Sequence, residues 1–423
     1  MTSYDSVPYP SLPIRRTHPC QLAALGRLFG LDCPSPRRCR VLELGCAAGG
    51  NLLPMAADLP EARFLGIDAS ARQVDQGKAG IRAAGLTNIE LHVQDLARFP
   101  EDSGQFDFIL CHGVYSWVPP PVQDRILEIG RRHLAPHGVF YVSYNTFPGW
   151  HLRGVVRDMM RFHVRRFDDS RAKISQSRLL LDFLVKSAAS GEAYRQLLRD
   201  EAAILSEQPD SYLFHEHLED DNEPLYFYQF VERAEAAGLV YLADADFSTM
   251  VAANFGQEIA GLLENASRLV QEQYLDFLRN RTFRASLLCR AEEKLDLAID
   301  PMRLAACDVS LEERLELPPL RLDDDSPLVC RCQGDTLTAT GPLTKAALAV
   351  LNDRWPLPLA FDDLLREARA KLSAAGRTLG EEEPYRRRLA QDLLTLLTRR
   401  LLRIMVEAPR IATAAGALPR ATP

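Results

Sequence analysis

The chain has 423 residues, 47% apolar and 25% charged, with a formal net charge of −7. That length exceeds what one hydrophobic core organises, so roughly two to four domains are expected. The acidic balance argues against a general nucleic-acid or anionic-membrane binder, and no run approaches the ~20 consecutive apolar residues of a membrane helix.

MTSYDSVPYPSLPIRR, at the start, has no basic stretch followed by an apolar core, so no secretory leader is expected. Nine cysteines, an odd number in a long chain, suit reduced thiols and a cytoplasmic location. Cys330 and Cys332 form the sole close pair; with no second pair at matching spacing, no metal site is expected.

Thr17-His18-Pro19 opens a helical pattern running to Leu31, with Thr as cap and Pro in the first turn. Residues 41–44 read as a short buried strand entered through Arg37, Arg38 and Arg40, and residues 51–59 have helical spacing. Between them, Gly45-Cys-Ala-Ala-Gly-Gly-Asn51 is a strand-to-helix turn. Its small residues admit a ligand close to the backbone, and the helix start offers free N–H groups. This is the first βα unit of a doubly wound sheet. The turn alone is ambiguous. Gly45-x-Ala47-x-Gly49 fits a GxGxG loop and Gly45-x-Ala47-x-x-Gly50 a dinucleotide GxGxxG, each with one Gly→Ala change.

The next strands decide between them. Residues 63–68 form a second strand ending in Asp68, placed to hold ribose hydroxyls. Residues 89–95 form a third, ending in Gln94 and Asp95, a carboxylate that can accept from an adenine amine. Residues 106–110 are a fourth, with Cys111, His112 and Gly113 at its tip, and residues 138–144 a fifth. Acids on or after each of the first three strands, followed by an FDxI strand, resemble a class I methyltransferase, whose cofactor is S-adenosylmethionine. Glu43 then has a purpose, since that cofactor carries an ammonium group and a dinucleotide does not. The cofactor set is Glu43, Gly45, Ala47, Gly49, Asn51, Asp68, Gln94, Asp95, Cys111 and His112. Tyr9 or His18 could fold over it, or the first helix could simply pack.

A narrower resemblance rests on Thr17-His-Pro19, Leu42-Glu-Leu-Gly-Cys46 with Gly49-Gly-Asn51, His112-Gly-Val-Tyr-Ser-Trp-Val-Pro119 and Ser143-Tyr-Asn-Thr-Phe-Pro-Gly-Trp150. Weaker echoes follow in Phe214-His-Glu-His-Leu-Glu219, Arg281-Thr-Phe-Arg284 and Pro342-Leu-Thr-Lys345. The chain resembles bacterial class I methyltransferases with a methyltransferase regulatory domain, a group that includes protein-lysine methyltransferases acting on outer-membrane proteins. Ala47 departs from the glycine usual in that group. The resemblance implies N-methylation of lysine in a protein substrate, such as an outer-membrane protein. The tips of strands four and five supply the catalytic candidates His112, Tyr144, Asn145 and Trp117. A lysine acceptor must lose a proton. Moving its pKa from about 10.4 to about 7 takes roughly 4.6 kcal/mol of differential environment, which desolvation and a neighbouring sulfonium both favour. The acid-Pro-Pro-aromatic motif of many amino methyltransferases is absent after strand four, which keeps a small-molecule acceptor in play. A cofactor-sensing regulator is the other alternative.

Residues 152–205 read as helical, with Arg153, Arg157, Arg161, Arg165 and Arg166 on a basic face, solvated or meeting an acidic patch. His215-Glu216-His217 on an acidic segment invites a metal, but ligands so close in sequence rarely close a site. A helix over 225–237 and a strand over 240–242 begin a mixed domain, with further helices over 255–281 and 292–299. Asp323-Asp-Asp-Ser-Pro327 reads as a linker. Helices over 343–355, 361–372 and 384–397 and a strand over 402–407 follow in winged-helix order. Arg386-Arg387-Arg388 follows Glu381-Glu382-Glu383, which favours a protein contact over nucleic acid.

The fold class is thus α/β: a doubly wound, Rossmann-like class I methyltransferase sheet, a helical/α+β regulatory domain and a winged-helix-like C-terminal domain. The expected boundaries are 1–151, 152–214 (a helical connection that could serve a homodimer), 215–322 and 323–407, with a disordered tail over 408–423.

Overall fold

The computed structural model describes residues 6–189, 191–324, 326–332, 335–377 and 380–408. Helix α1 (Pro19–Leu28) leads into β1 (Arg40–Leu44), α2 (Leu52–Asp58), β2 (Arg63–Asp68), α3 (Ala71–Ala84) and β3 (Ile89–Val93). Local signals set these limits. Ser70 Oγ accepts the Gln73 N–H at the start of α3, and left-handed Gly85 (φ +67°) ends it. Then come β4 (Phe106–Cys111), α4 (Pro120–His133) and β5 (Leu134–Asn145).

A helical excursion follows: α5 (Gly149–Val164), α6 (Ser170–Ser187), α7 (Glu192–Glu207) and α8 (Asp210–His217). These pack around Val156, Met160, Ile174, Leu181, Leu198 and Leu213. The chain then returns through α9 (Phe227–Ala236), β6 (Leu239–Asp244), α10 (Gln257–Leu263), α11 (Arg268–Arg279) and β7 (Phe283–Arg290).

The sheet order is β3-β2-β1-β4-β5-β7-β6, with β7 alone antiparallel to its neighbours. The segment expected to open a separate domain at 215 therefore supplies two strands to the first sheet. The physical reason is the edge: without β7, the side of β5 away from β4 would be unpaired. Between its ends β7 is buried on both faces, from Arg284 to Cys289, which suits an interior position.

The C-terminal unit begins earlier than 323. Strand β8 (Asp308–Leu311) lies between β11 (Leu359–Ala360) and β12 (Leu402–Met405), antiparallel to both. A hairpin of β9 (Leu328–Cys332) and β10 (Asp335–Ala339) and helices α12 (Pro342–Arg354), α13 (Phe361–Ala374) and α14 (Glu382–Thr398) complete it. Three helices and a closing strand are present as expected. The partner of that strand is β8, from before the helices, rather than a following wing.

The described residues of the acidic run at 323–327 lie within this unit instead of linking two. Lys345, 1% exposed, donates to the carbonyls of Arg321 (2.6 Å), Asp324 (3.0 Å) and Ser326 (2.9 Å) and anchors the loop. The arginine run is paired internally: Arg386 with Asp362, Arg387 with Asp300 (3.8 Å) and Arg388 with Asp392 (3.1 Å). The helix expected over 292–299 is irregular chain, because the Asp296 N–H bonds Phe29 O and its carboxylate accepts the Ala298 N–H. The expected tail lies, apart from Ala408, outside the described residues.

One apolar cluster joins α1, one sheet face and the C-terminal unit, through Leu22, Val41, Leu110, Leu287, Val309, Leu364 and Leu393. A second lies under the other face, with Leu42, Ile109, Val142, Tyr144 and Phe230. Among the described residues, no helix is long and apolar enough to cross a membrane.

Candidate active site

The turn after β1 is left-handed at three positions: Gly45 (φ +74°), Ala47 (φ +50°) and Gly49 (φ +74°). This explains the glycine usual at position 47, since an L-residue there carries backbone strain. Asp68 stabilises the conformation. Its Oδ2 accepts the Ala47 N–H at 2.8 Å and its Oδ1 accepts the Ser70 N–H at 2.8 Å. A methyl group on Gly45 would meet Val114 Cγ2 at 2.4 Å, so this glycine lets the loop after β4 close on the turn.

Glu43 is 4% exposed. Its Oε1 accepts the Asn51 amide at 2.7 Å, while Oε2 is buried without a hydrogen-bond partner among the described residues. Burial pushes its carboxyl up to about 7, against the Asn51 bond and with a smaller push from Asp68. A buried acceptor lacking a donor is expensive and is what a ligand ammonium would satisfy.

Asn51, expected to touch the cofactor, is instead fully engaged by protein. Nδ2 also reaches Thr17 Oγ1 (3.0 Å), and Oδ1 accepts the Ile14 N–H (2.8 Å). Gly50 is likewise turned toward the N-terminal segment. A methyl group there would lie 2.2 Å from Ser11 O, and the Gly50 N–H donates to Ser11 Oγ at 2.7 Å. The segment continues to Val7, whose carbonyl lies 2.6 Å from His215 Nε2, and Tyr9 packs edge-on against the same ring. His18 caps α1 through Nδ1.

At the tip of β3, the Gln94 N–H bonds Asp68 O and its side chain donates to Arg98 O (2.9 Å). Asp95 is exposed and caps a short turn by accepting the Ala97 N–H (2.9 Å) with Oδ1. Cys111 points away from the site: it is fully buried in the opposite core cluster, and burial raises its thiol.

His112 stands beside the turn. Its Nδ1 lies 2.9 Å from Tyr141 Oη and 3.3 Å from Ser143 Oγ, and Ser143 Oγ accepts the Gly113 N–H (2.8 Å). Burial lowers its pKa to about 4, so the ring is neutral, and Nε2 has no hydrogen-bond partner among the described residues. Phe283 packs edge-on against it at 5.9 Å. Asn145 bonds Ser116 Oγ through its N–H and Asn222 through its amide. Trp117 meets Trp150 edge-on at 6.0 Å.

Tyr144 is not brought to this group. Residues alternate along β5, so Tyr141 and Ser143 face His112 while Tyr144 enters the opposite core, stacked on Phe230 at 4.1 Å and 3.1 Å from Ser286 Oγ. That parity was a usable signal. Phe283, by contrast, lies 171 residues after His112 in sequence and had none.

The basic face of α5 is largely consumed internally. Arg153 pairs with Glu201 (3.2 Å), Arg157 donates to Glu219 O (2.5 Å) and Arg161 pairs with Asp220 (2.8 Å). The His215-Glu216-His217 side chains diverge: His215 to Glu219 (2.7 Å), Glu216 to Arg153 (3.9 Å), His217 to Glu201 (3.1 Å). Among the described residues, no group of three or more His, Cys, Asp or Glu side chains is arranged to hold a metal.

Residues 41–138 match a family model described as "Methyltransferase domain", and residues 209–290 one described as "Predicted methyltransferase regulatory domain". An uncharacterized protein of Rickettsia prowazekii, RP789, is 39% identical over 378 residues, covering 88% of this chain and 68% of that protein. Among solved structures, PKMT2 from Rickettsia typhi in complex with AdoHcy superposes with a TM-score of 0.83 at 34% identity, covering 95% of this chain and 78% of that one. A second structure of PKMT2 from Rickettsia typhi gives 0.84, also at 34% identity, covering 97% and 80%.

Proposed function

Since the chain belongs to the class I S-adenosylmethionine-dependent methyltransferases that carry a methyltransferase regulatory domain, we propose that it N-methylates lysine side chains of a protein. Its cofactor supplies an electrophilic methyl group on a sulfonium, and the residues present fit it. Glu43 Oε2 is a buried acceptor awaiting a donor. Asp68 ends β2 against the glycine turn, and Asp95, at the tip of β3, is exposed, positions that suit ribose and adenine donors.

The observation that carries the acceptor reading is His112. It is neutral, fixed through Nδ1, and beside an aromatic wall at the mouth of the turn. Positioning dominates a displacement of this kind. A lysine amine reaching the methyl group passes through a desolvated setting that favours its neutral form, and Nε2 can accept its proton or orient its lone pair. The likeness to PKMT2 supports a protein-lysine acceptor. We further place the reaction in the cytoplasm, with an outer-membrane protein as substrate. Exposed Phe162, Leu179 and Phe183 on α5 and α6 support a homodimer through the helical unit.

The test uses methyl-labelled S-adenosylmethionine, the purified protein and fractionated lysate including outer membranes. Label stable on a protein and mapped to lysine is the expected result. Label confined to the small-molecule fraction would overturn it.

A further inference from the structure

Asn51 has every side-chain hydrogen-bonding group occupied by two partners. One is Glu43 (2.7 Å); the other is the N-terminal segment, through Thr17 Oγ1 and the Ile14 N–H. Asn51 is 6% exposed, so these bonds are shielded from water. The segment behaves as a strap lying on Gly50 through Ser11. It is pinned at one end by His215 on α8, and at the other by Arg15–Glu312 (2.6 Å) and Arg16–Asp246 (2.8 Å). Glu312 follows β8 and Asp246 follows β6, so the helical excursion, the β6 segment and the C-terminal unit each hold the strap at one point.

We propose that Asn51 is a positioning residue for cofactor binding: it clamps this strap to Glu43 and so aims the carboxylate's unbonded oxygen at the ligand ammonium. Cofactor affinity then depends on the strap being docked. The proposal rests on the cofactor and not on the acceptor, so it can fail while the protein-lysine reading stands, and the reverse.

Geometry dictates a signature. The Asn51 amide donates to the ionised carboxylate and favours that form. The other groups acting on Glu43 are Asp68, which opposes ionisation, and Cys46 and Cys111, neutral thiols held protonated by burial. Removing the amide leaves burial and Asp68 unopposed, and Glu43 then ionises at higher pH. A ligand ammonium needs the ionised form. The loss of affinity is therefore largest at and below neutral pH and shrinks as pH rises.

The experiment is calorimetric titration of S-adenosylhomocysteine, which carries the same ammonium, between pH 6 and 9. The proteins are wild type, Asn51→Ala and Thr17→Val. The ligand amine titrates alike in all three, so differences between the curves belong to the protein. A midpoint raised by one pH unit, from about 7 to about 8, weakens binding by about fivefold at pH 7 and about ninefold at pH 6, with the curves converging toward pH 9. Thr17→Val keeps the side-chain volume and removes the Thr17 bonds of the clamp while leaving the Ile14 N–H on Asn51, so it serves even if Asn51→Ala unfolds. It should shift the midpoint the same way by a smaller amount, and hydrogen exchange at residues 7–17 should rise. An Asn51→Ala deficit equal at every pH, or wild-type affinity and exchange in Thr17→Val, overturns the proposal.

Discussion

Glu43→Gln separates stability from binding. Glu43 titrates at about 7 in the fold against an ordinary 4.5. Between these values the unfolded chain has released a proton that the folded chain keeps. The folded state is therefore penalised progressively as pH rises from 4.5, with the full penalty above 7. At 1.36 kcal/mol per tenfold, the full penalty is about 3 kcal/mol. About 1 kcal/mol is already present at pH 5.5, so about 2 kcal/mol develops between pH 5.5 and 8.5. Glutamine keeps the acceptor for Asn51 but cannot ionise. Comparing two pH values cancels the amide's own desolvation. Urea unfolding of the ligand-free protein should then show the variant gaining about 2 kcal/mol on the wild type from pH 5.5 to 8.5. With an m-value of about 3 kcal/mol/M this moves the midpoint by about 0.7 M. The same variant should bind S-adenosylhomocysteine more weakly at pH 8.5, having lost the charge. If both proteins change in parallel between the two pH values, Glu43 is not an uncompensated buried acid and the reasoning fails.

Asp68→Ala should weaken S-adenosylhomocysteine binding at least about tenfold by calorimetry, because it removes the acceptor for the Ala47 and Ser70 N–H groups. His112→Ala should lower turnover in a methyl-transfer assay while leaving that affinity intact. In the wild type, kcat should show no limb near pH 6.5, because His112 stays neutral down to about 4. Arg284→Met should cost about 3–5 kcal/mol in urea unfolding. It takes the fully buried cation from Asp276 (2.6 Å), Glu272 (3.2 Å) and Asp244 (3.6 Å) and leaves them to Arg281 and Arg268; a loss below 1 kcal/mol would contradict the network.

The parts legible in the sequence were those whose signals are local. The glycine turn, the acids ending β2 and following β3, and the capped helices each announce themselves within a few residues. The chain's membership of its family was legible for the same reason, since His112–Pro119 and Ser143–Trp150 are contiguous stretches. Long-range pairing was not legible. Strand β7 carries Arg284 in its interior, which reads as polar, and its partner β5 lies about 140 residues earlier. Asn51 was assigned to the ligand because it follows the glycines, yet a hydrogen-bonding side chain at a helix start serves protein or ligand equally well. Here Thr17 and Glu43 claimed it. Tyr144 was assigned by its place near the strand tip, although alternation with Tyr141 and Ser143 had already turned it inward.

The regulatory segment acquires its influence on the site through register. Arg284 pairs across from Tyr144 and Phe283 across from Asn145, so the two neighbouring side chains fall on opposite sheet faces. Arg284 meets Asp276 and Glu272 on α11 and Asp244 on β6, and Tyr241 Oη donates to Glu272 at 2.7 Å. A slip of one residue would carry Arg284 into the apolar cluster on the opposite face and take from these carboxylates their fully buried cation. A buried ionic cluster contributes little stability over a well-packed apolar one. Its strength lies in making the wrong register costly. Holding Arg284 inward holds Phe283 against His112, and so a strand contributed from beyond residue 215 fixes one wall of the site that β4 and β5 present.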